Sequence, residues 1–305
     1  MSREIFINAD LQKQFARDGY VKVPLLSDED IHQLRSLYTE YHPEEPKGFI
    51  SSTYSDNYEF KKSVSEKTTA IISPRLDEIL KDHRPIGASF LAKAKGKYGE
   101  MPMHQDWTIV DEDQFVAVNV WTPLVDCTEE NGTLEVLQGS HRFLNVLRMP
   151  TLDFVLDGKQ YDLLPFLTPV PTKAGEAVIL NQALVHYSKP NQTEEVRTAI
   201  TTGVVSKNAA LMLYYFDSNH EDRVEKFSQS EDFLLRFDDF MNDIYSVPKM
   251  GESKGYLAFR KPSLSWDAVL AGIREAHGGQ LPSDQTLDIR ERTGLLRKLI
   301  SKMFG

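Results

Sequence analysis

The nine residues Gln114-Phe115-Val116-Ala117-Val118-Asn119-Val120-Trp121-Thr122 read as a strand. Side chains of an extended chain point to opposite sides in turn, so Phe115, Ala117, Asn119 and Trp121 share one face and Val116, Val118, Val120 and Thr122 the other. Asn119 is the exception in this apolar run. A buried amide needs a hydrogen-bond partner, supplied either by the scaffold or by a ligand in the mouth of a barrel.

Outward from this strand the pattern repeats. Residues 86–95, 103–109, 133–138, 176–187, 197–205 and 211–216 also read as strands, separated by turn signals at Asn131-Gly132, Gly139-Ser140 and Ala174-Gly175. Seven or eight short strands at this spacing predict an all-β sandwich or barrel core with flanking helices. Upstream, Leu11 and Phe15 mark a short helix that runs into an alternating strand at Gly19–Pro24. Ser27 then caps a second helix, with Asp28, Glu29 and Asp30 in the first turn, where acidic side chains suit the helix dipole. Residues 42–62, with Phe49, Tyr54, Tyr58 and Phe60, lack a period and read as a lid or an anchored loop; helix resumes over 64–82. Downstream, helices are expected at 224–244 and 265–276.

No Pro/Ser/Gly-rich linker divides the 305 residues, so one domain is expected over 1–305. It has a mostly helical part at 1–85, a core at 86–216 and a helical C-terminal extension at 217–305. Near the end, Leu295, Leu296, Leu299, Ile300, Met303 and Phe304 form one apolar helical face with Arg297, Lys298 and Lys302 available for the other. Such a helix docks onto the body or a neighbouring subunit, or attaches weakly to an anionic membrane.

A composition of 41% hydrophobic and 26% charged residues suits a full globular core. The net charge of -10 argues against nucleic acid as the main partner, because phosphate binding wants a concentrated basic face. Cys127, the single cysteine, excludes a disulfide framework and a multi-cysteine zinc site, and is expected to be a small buried residue. No run is long enough for a signal peptide or a membrane span, so a reducing, cytoplasmic setting is the expectation.

The chemistry is expected in Met101-Pro102-Met103-His104-Gln105-Asp106-Trp107. In an extended chain His104 and Asp106 leave the same face, which is half of a metal site. The other half lies at a strand end, His186, followed eleven residues later by Arg197 at the start of the next strand. Two histidines and one carboxylate match the facial triad that holds non-haem Fe(II) and leaves positions open for a chelating cosubstrate and O2. Fe(II) with Asp106 keeps one positive charge, and bidentate 2-oxoglutarate takes the total to minus one. A planar guanidinium at Arg197 then fits the distal carboxylate.

The chain resembles the phytanoyl-CoA dioxygenase (PhyH) family of Fe(II)/2-oxoglutarate-dependent oxygenases in several places, together covering roughly residues 10–216. These are Phe15-Ala-Arg-Asp-Gly-Tyr-Val, His104-Gln-Asp106, the run from Trp121 through Asn131-Gly-Thr to Gly139-Ser-His-Arg142, and His186-x-Ser188-x-x-Asn191-x-Thr193-x-x-x-Arg197. The resemblance implies a double-stranded β-helix, or jelly roll, with His104, Asp106 and His186 on iron and Arg197 clamping 2-oxoglutarate. It further implies that Ser188 assists at the same carboxylate and that Asn119 and Trp121 line the cosubstrate pocket. Related halogenases carry a small residue where this chain has Asp106, so the resemblance implies a hydroxylating or otherwise oxidising member.

His141 is expected in the scaffold, His220 in a solvated loop, and His32, His42, His83 and His277 at surface positions. Two alternatives remain at this point. A hydrolase could hold zinc and a water on the same three ligands, and a silent jelly roll could bind metal or 2-oxoglutarate without turnover. The substrate, a small organic or lipid-like molecule, is not specified by these residues.

Overall fold

The computed structural model describes residues 4–236 and 251–282. In chain order the strands are β1 (Tyr20–Pro24), β2 (Phe49–Ser51), β3 (His83–Lys93), β4 (Met101–His104), β5 (Val118–Pro123), β6 (Leu134–Val136), β7 (Thr168–Val170), β8 (Glu176–Asn181), β9 (His186–Ser188), β10 (Arg197–Ser206), β11 (Met212–Phe216), β12 (Arg223–Ser228) and β13 (Ser253–Ala258). The helices are α1 (Ala9–Asp18), α2 (Asp28–Tyr41), α3 (Tyr58–Leu76), α4 (Ser140–Phe143), α5 (Gln160–Leu163) and α6 (Trp266–Ala276).

Two antiparallel sheets enclose the interior. The larger runs β1-β8-β5-β10-β3-β2 and the smaller β4-β9-β6-β7. Alternation along β5 sorts its side chains as the sequence leads one to expect. Val118 and Val120 join Phe90, Ile179 and Ile200 in a core against Leu34 of α2 and Val64, Ile72 and Leu76 of α3. Trp121 points the other way and packs with Val178, Leu180 and Ala199 against Leu134, Val136 and Val170 of the smaller sheet. The outer face of that smaller sheet, through Met103, Val185 and Tyr187, is covered by Val269 and Ile273 of α6.

The helix ends follow their sequence signals. Ser27 and Asp30 form a reciprocal capping box at α2, and Asn8 caps α1. Gly19 closes α1 with φ +84°, and a Cβ there would stand 2.5 Å from His141 Nδ1, so only glycine allows this close approach.

Four expectations are corrected. The strand foreseen at 103–109 ends at His104, after which Asp106 N–H donates to Gln182 C=O at 3.0 Å. The single strand foreseen at 176–187 is two strands: the chain turns at 182–185 and changes sheets, with Leu184 N–H donating to Asn181 C=O. Part of the segment 42–62 is ordered by pairing, with Phe49, Ile50 and Ser51 of β2 opposite Lys93, Ala92 and Leu91 of β3. Beyond residue 216 the expected helical extension instead opens with β12, which joins β11 and β13 in a three-stranded sheet. The expected helix at 265–276 is present as α6, whereas the apolar face at 290–305 lies outside the described residues. No helix among the described residues is long and apolar enough to cross a membrane.

Candidate functional site

His104 and His186 are cross-strand partners on β4 and β9, which brings their rings to a centroid distance of 4.2 Å. Each Nδ1 lies on a backbone carbonyl two residues earlier, Pro102 at 2.7 Å for His104 and Leu184 at 3.0 Å for His186. An Nδ1–H donated there leaves both Nε2 lone pairs free for a metal. Asp106 Oδ1 stands 3.8 Å from His104 Nε2, and one ligand atom from each of the three residues lies within 4.8 Å of the others. Among the described residues this is the one cluster with that geometry. Lost hydration, then the neighbouring His186, pulls the His104 pKa down to about 4 against the opposing pull of Asp106, so the imidazole is neutral at pH 7, as metal ligation requires.

The supports of Asp106 come from three directions. Asn119 Nδ2 donates to Oδ2 at 3.4 Å, and Asn119 Oδ1 in turn accepts from the Thr201 hydroxyl. Arg148 is buried and donates from Nε to the Asp106 carbonyl at 2.7 Å, while it also binds Val146 C=O and pairs with Glu112. Gln105 turns away from the metal ligands and donates to Leu144 C=O and Ala183 C=O, which pins the backbone between His104 and Asp106.

On the inner face of the larger sheet, Arg197 is 2% exposed, and its Nε and Nη1 have no hydrogen-bond partner among the described residues. Its guanidinium lies 5.6 Å from the ring centre of Trp121. Burial lowers its pKa from the usual arginine value. Two orphaned donors on a buried cation call for an anionic partner, so the residues present fit a carboxylate there.

Lys93, which the sequence reading passed over, is fully buried beside Arg197. Its Nζ lies 2.6 Å from Ser188 Oγ, 3.1 Å from Ser188 C=O and 2.5 Å from Lys189 C=O. Ser188, expected to assist at the same carboxylate, donates to Gly132 C=O at 2.7 Å and lies 2.6 Å from Lys93 Nζ. Arg148, Thr201 and Lys93 thus join the residues foreseen from sequence. Lys93 shares strand parity with Ser89 and Leu91, the one signal that placed it inward.

Other histidines divide. His83 is buried rather than at the surface, with Nδ1 on Leu80 C=O at 3.2 Å and Nε2 3.6 Å from Asp77. His42 is part-buried, stacked on Tyr38 with Nε2 2.9 Å from Ser52 Oγ. His141 supports the scaffold through Ala16 C=O. Cys127 is buried as expected.

A cavity of about 500 Å3 opens at His104 and Asp106. It runs between the inner face of β3 and β10 and a wall made by Phe49, Tyr54, Leu234 and Leu235.

Comparison with known proteins follows the same lines. The family model for phytanoyl-CoA dioxygenase (PhyH) matches residues 15–199. Phytanoyl-CoA dioxygenase domain-containing protein 1 of Danio rerio is 32% identical over 143 residues, which are 42% of this chain and 49% of the relative. Phytanoyl-CoA dioxygenase 1 of Oryza sativa subsp. japonica is 31% identical over 126 residues, 39% of this chain and 44% of the relative. The chain spans about half the length of these curated relatives. Among solved structures, the non-heme alpha ketoglutarate dependent carbocyclase SnoK from nogalamycin biosynthesis superposes with a TM-score of 0.50 at 20% identity, covering 67% of this chain and 86% of that one. HygX from Streptomyces hygroscopicus, solved with nickel and 2-oxoglutarate bound, gives a TM-score of 0.50 at 18% identity, covering 66% and 88%. These likenesses establish the jelly-roll fold. Since the family model spans well over half of the sequence, the chain belongs to the phytanoyl-CoA dioxygenase (PhyH) family, a family of non-haem iron, 2-oxoglutarate-dependent dioxygenases.

Proposed function

We propose that this protein is an Fe(II)- and 2-oxoglutarate-dependent oxygenase that hydroxylates an unactivated C–H bond of a small organic molecule. The single observation that carries the reading is the pairing of two features within one sheet sandwich: three ligand atoms of two histidines and an aspartate within 4.8 Å, and a buried arginine with unpartnered donors. A zinc hydrolase has use for the first and none for the second. In this reading His104, Asp106 and His186 hold the iron, and Arg197 binds the far carboxylate of 2-oxoglutarate through its fork. Iron with 2-oxoglutarate and O2 supplies the oxidising power, with succinate and CO2 as co-products.

The chain's own residues do the rest. Asn119 and Arg148 keep Asp106 placed beside His104 and His186, where the three would hold the metal. Trp121 walls the guanidinium off from water and holds its plane. Lys93 fixes Ser188 and the backbone that follows His186. The cavity beside His104 and Asp106 positions the target carbon. A single oxygenase domain over 1–305 in a cytoplasmic setting is part of the same reading.

The test is anaerobic titration with Fe(II) and 2-oxoglutarate. A weak visible charge-transfer band is expected in the wild type and is lost in His104→Ala. Its absence in the wild type sinks the proposal, while a band with no succinate release in any substrate screen favours a binding protein without turnover.

A further inference from the structure

We infer that the cavity beside the metal ligands takes an uncharged, mainly apolar substrate, with selectivity set by the wall of Phe49, Tyr54, Leu234 and Leu235. This inference rests on the oxygenase reading and adds the chemical class of what is oxidised.

The lining is apolar on both sides of the cavity. Phe49, Leu91, Trp107, Ile109, Leu234 and Leu235 are among its lining residues. On the sheet side the floor lacks bulk, because Gly87 and Gly203 are register partners on β3 and β10. A Cβ on Gly203 would stand 3.0 Å from Ile86 and 3.2 Å from Leu234, so the glycine also lets the wall approach the sheet. A recess with a floor of glycines and apolar walls favours an apolar body.

Most hydroxyls and the Asn119 amide of this lining are paired with one another, and the buried side-chain groups left without a partner are the amide oxygens of Gln105 and Gln182, which are acceptors and offer an anion nothing. Ser51 Oγ is 2.7 Å from Thr53 Oγ1 and 3.2 Å from Ser89 Oγ. The Thr201 hydroxyl is held by Asn119, and Asn119 by Asp106. Among the described lining residues the formal charge and the imidazoles belong to Asp106 and His104, the ligands themselves. Nearby cations are committed elsewhere. Arg236 is 3.0 Å from Asp232, which also accepts from the Tyr58 hydroxyl at 2.8 Å, and Arg84 pairs with Glu231 and donates to Ala209 C=O. A carboxylate or phosphate entering this cavity would lose its hydration without gaining a cationic partner among the described residues. The net charge of -10 adds long-range repulsion. The family name therefore does not carry an acyl-CoA substrate over to this cavity.

The wall is also built to stay in place. The 3-10 turn Phe233–Arg236 is tied to the start of α3 by the Tyr58–Asp232 bond, and the Arg236 guanidinium lies over the Tyr58 ring at 5.1 Å. Leu234 is half-buried, so a longer side chain there can reach the cavity mouth without emptying the core.

The experiment uses the full chain with Fe(II) and 2-oxoglutarate under anaerobic conditions, and probe pairs that differ in one charge. Methyl 1-adamantanecarboxylate is compared with 1-adamantanecarboxylate, methyl abietate with abietate, and octanoyl-CoA is added as a polyanionic thioester. The expected result is that at least one neutral ester shifts the charge-transfer band with a dissociation constant at least tenfold below that of its carboxylate, and that octanoyl-CoA shifts nothing. Leu234→Arg is expected to strengthen carboxylate binding at least tenfold while the band with 2-oxoglutarate persists. Carboxylates or the thioester binding as tightly as the esters, no ester binding at all, or an unchanged order in Leu234→Arg overturns the inference. A missing band strikes at the oxygenase reading instead. The same pairs are then compared by calorimetry, where preference for the esters upholds the charge rule and its reversal overturns it.

Discussion

Lys93 and Arg197 face one another as a register pair across β3 and β10, and both are buried, at 0% and 2% exposure. Like charges directly opposite on one sheet face destabilise it. Burial and then the Arg197 charge pull the Lys93 pKa down to about 6, against the partial opposition of Glu100, Cys127 and Glu135. The unfolded chain holds that proton up to about pH 10.4. Between these limits the unfolded state binds more protons than the folded one, so stability rises with pH, by at most about 1.4 kcal/mol per unit. Urea unfolding of the wild type at pH 7 and pH 9 is expected to show this gain, and Lys93→Met to lose most of it. Equal slopes in the two proteins would mean that Lys93 keeps its proton in the fold.

Arg197 is expected to act on 2-oxoglutarate and not on metal. Its Nε and Nη1 lack partners among the described residues, and the fork geometry is what a carboxylate matches. Truncating one side of a buried charged contact costs roughly 2–5 kcal/mol, so Arg197→Met is expected to weaken 2-oxoglutarate binding about 100-fold or more. Arg197→Lys keeps the charge and loses the fork, and falls between. Metal affinity measured with Mn(II) in the absence of 2-oxoglutarate stays within about threefold, since Arg197 touches none of the three ligands. Parallel loss of metal and cosubstrate affinity contradicts this division.

The sequence carried the period of β5 and the strand-end positions of His104, His186 and Arg197 because alternation is a local property, written in neighbouring residues. Lys93 and Arg148 were not legible in the same way. A lysine's default is exposure, and what buries this one is a set of oxygens on Ser188 and Lys189, nearly a hundred residues away. Arg148 meets Asp106 through a backbone carbonyl, which no side-chain pattern advertises. The helix expected at 224–244, whose residues 237–244 lie outside the described ones, opens as a strand for a local reason. Val224 and Phe227 are the buried residues of β12, three apart as on a helix face, because the pairing with β13 slips between Glu225 and Phe227. A bulge gives a strand the spacing of a helix.

Asn119 reads both outcomes that its burial in a strand left open, since it accepts from Thr201 and donates to Asp106. Partners behind a metal ligand typically contribute 10- to 100-fold in affinity, and the 3.4 Å contact argues for the lower figure. Asn119→Leu is expected to weaken Mn(II) or Co(II) binding about tenfold. Asn119→Asp places a second carboxylate beside Asp106, and is expected to raise the pH needed for metal binding by the repulsion between them. Unchanged metal affinity in Asn119→Leu would reduce the contact to packing.

Arg148 and Glu112 form a buried pair that also carries the Asp106 carbonyl and Val146 C=O, with side-chain exposures of 6% and 18%. Removing one member leaves the other charge without its partner, at a cost of about 3–5 kcal/mol. Arg148→Met is therefore expected to destabilise the fold by about that much, read from urea midpoints, and Glu112→Gln by less, because the guanidinium keeps its carbonyl partners. The double variant Arg148→Met, Glu112→Met removes both charges, and much of the stability is expected to return, as it does when buried ion pairs give way to apolar residues. Metal affinity separates the two roles. The Asp106 carbonyl has lost its donor in both Arg148 variants, so weakened Mn(II) binding is expected to persist in the double variant after stability has recovered. If metal affinity recovers in step with stability, Arg148 serves the fold alone and Asp106 is positioned by Asn119 and its own strand.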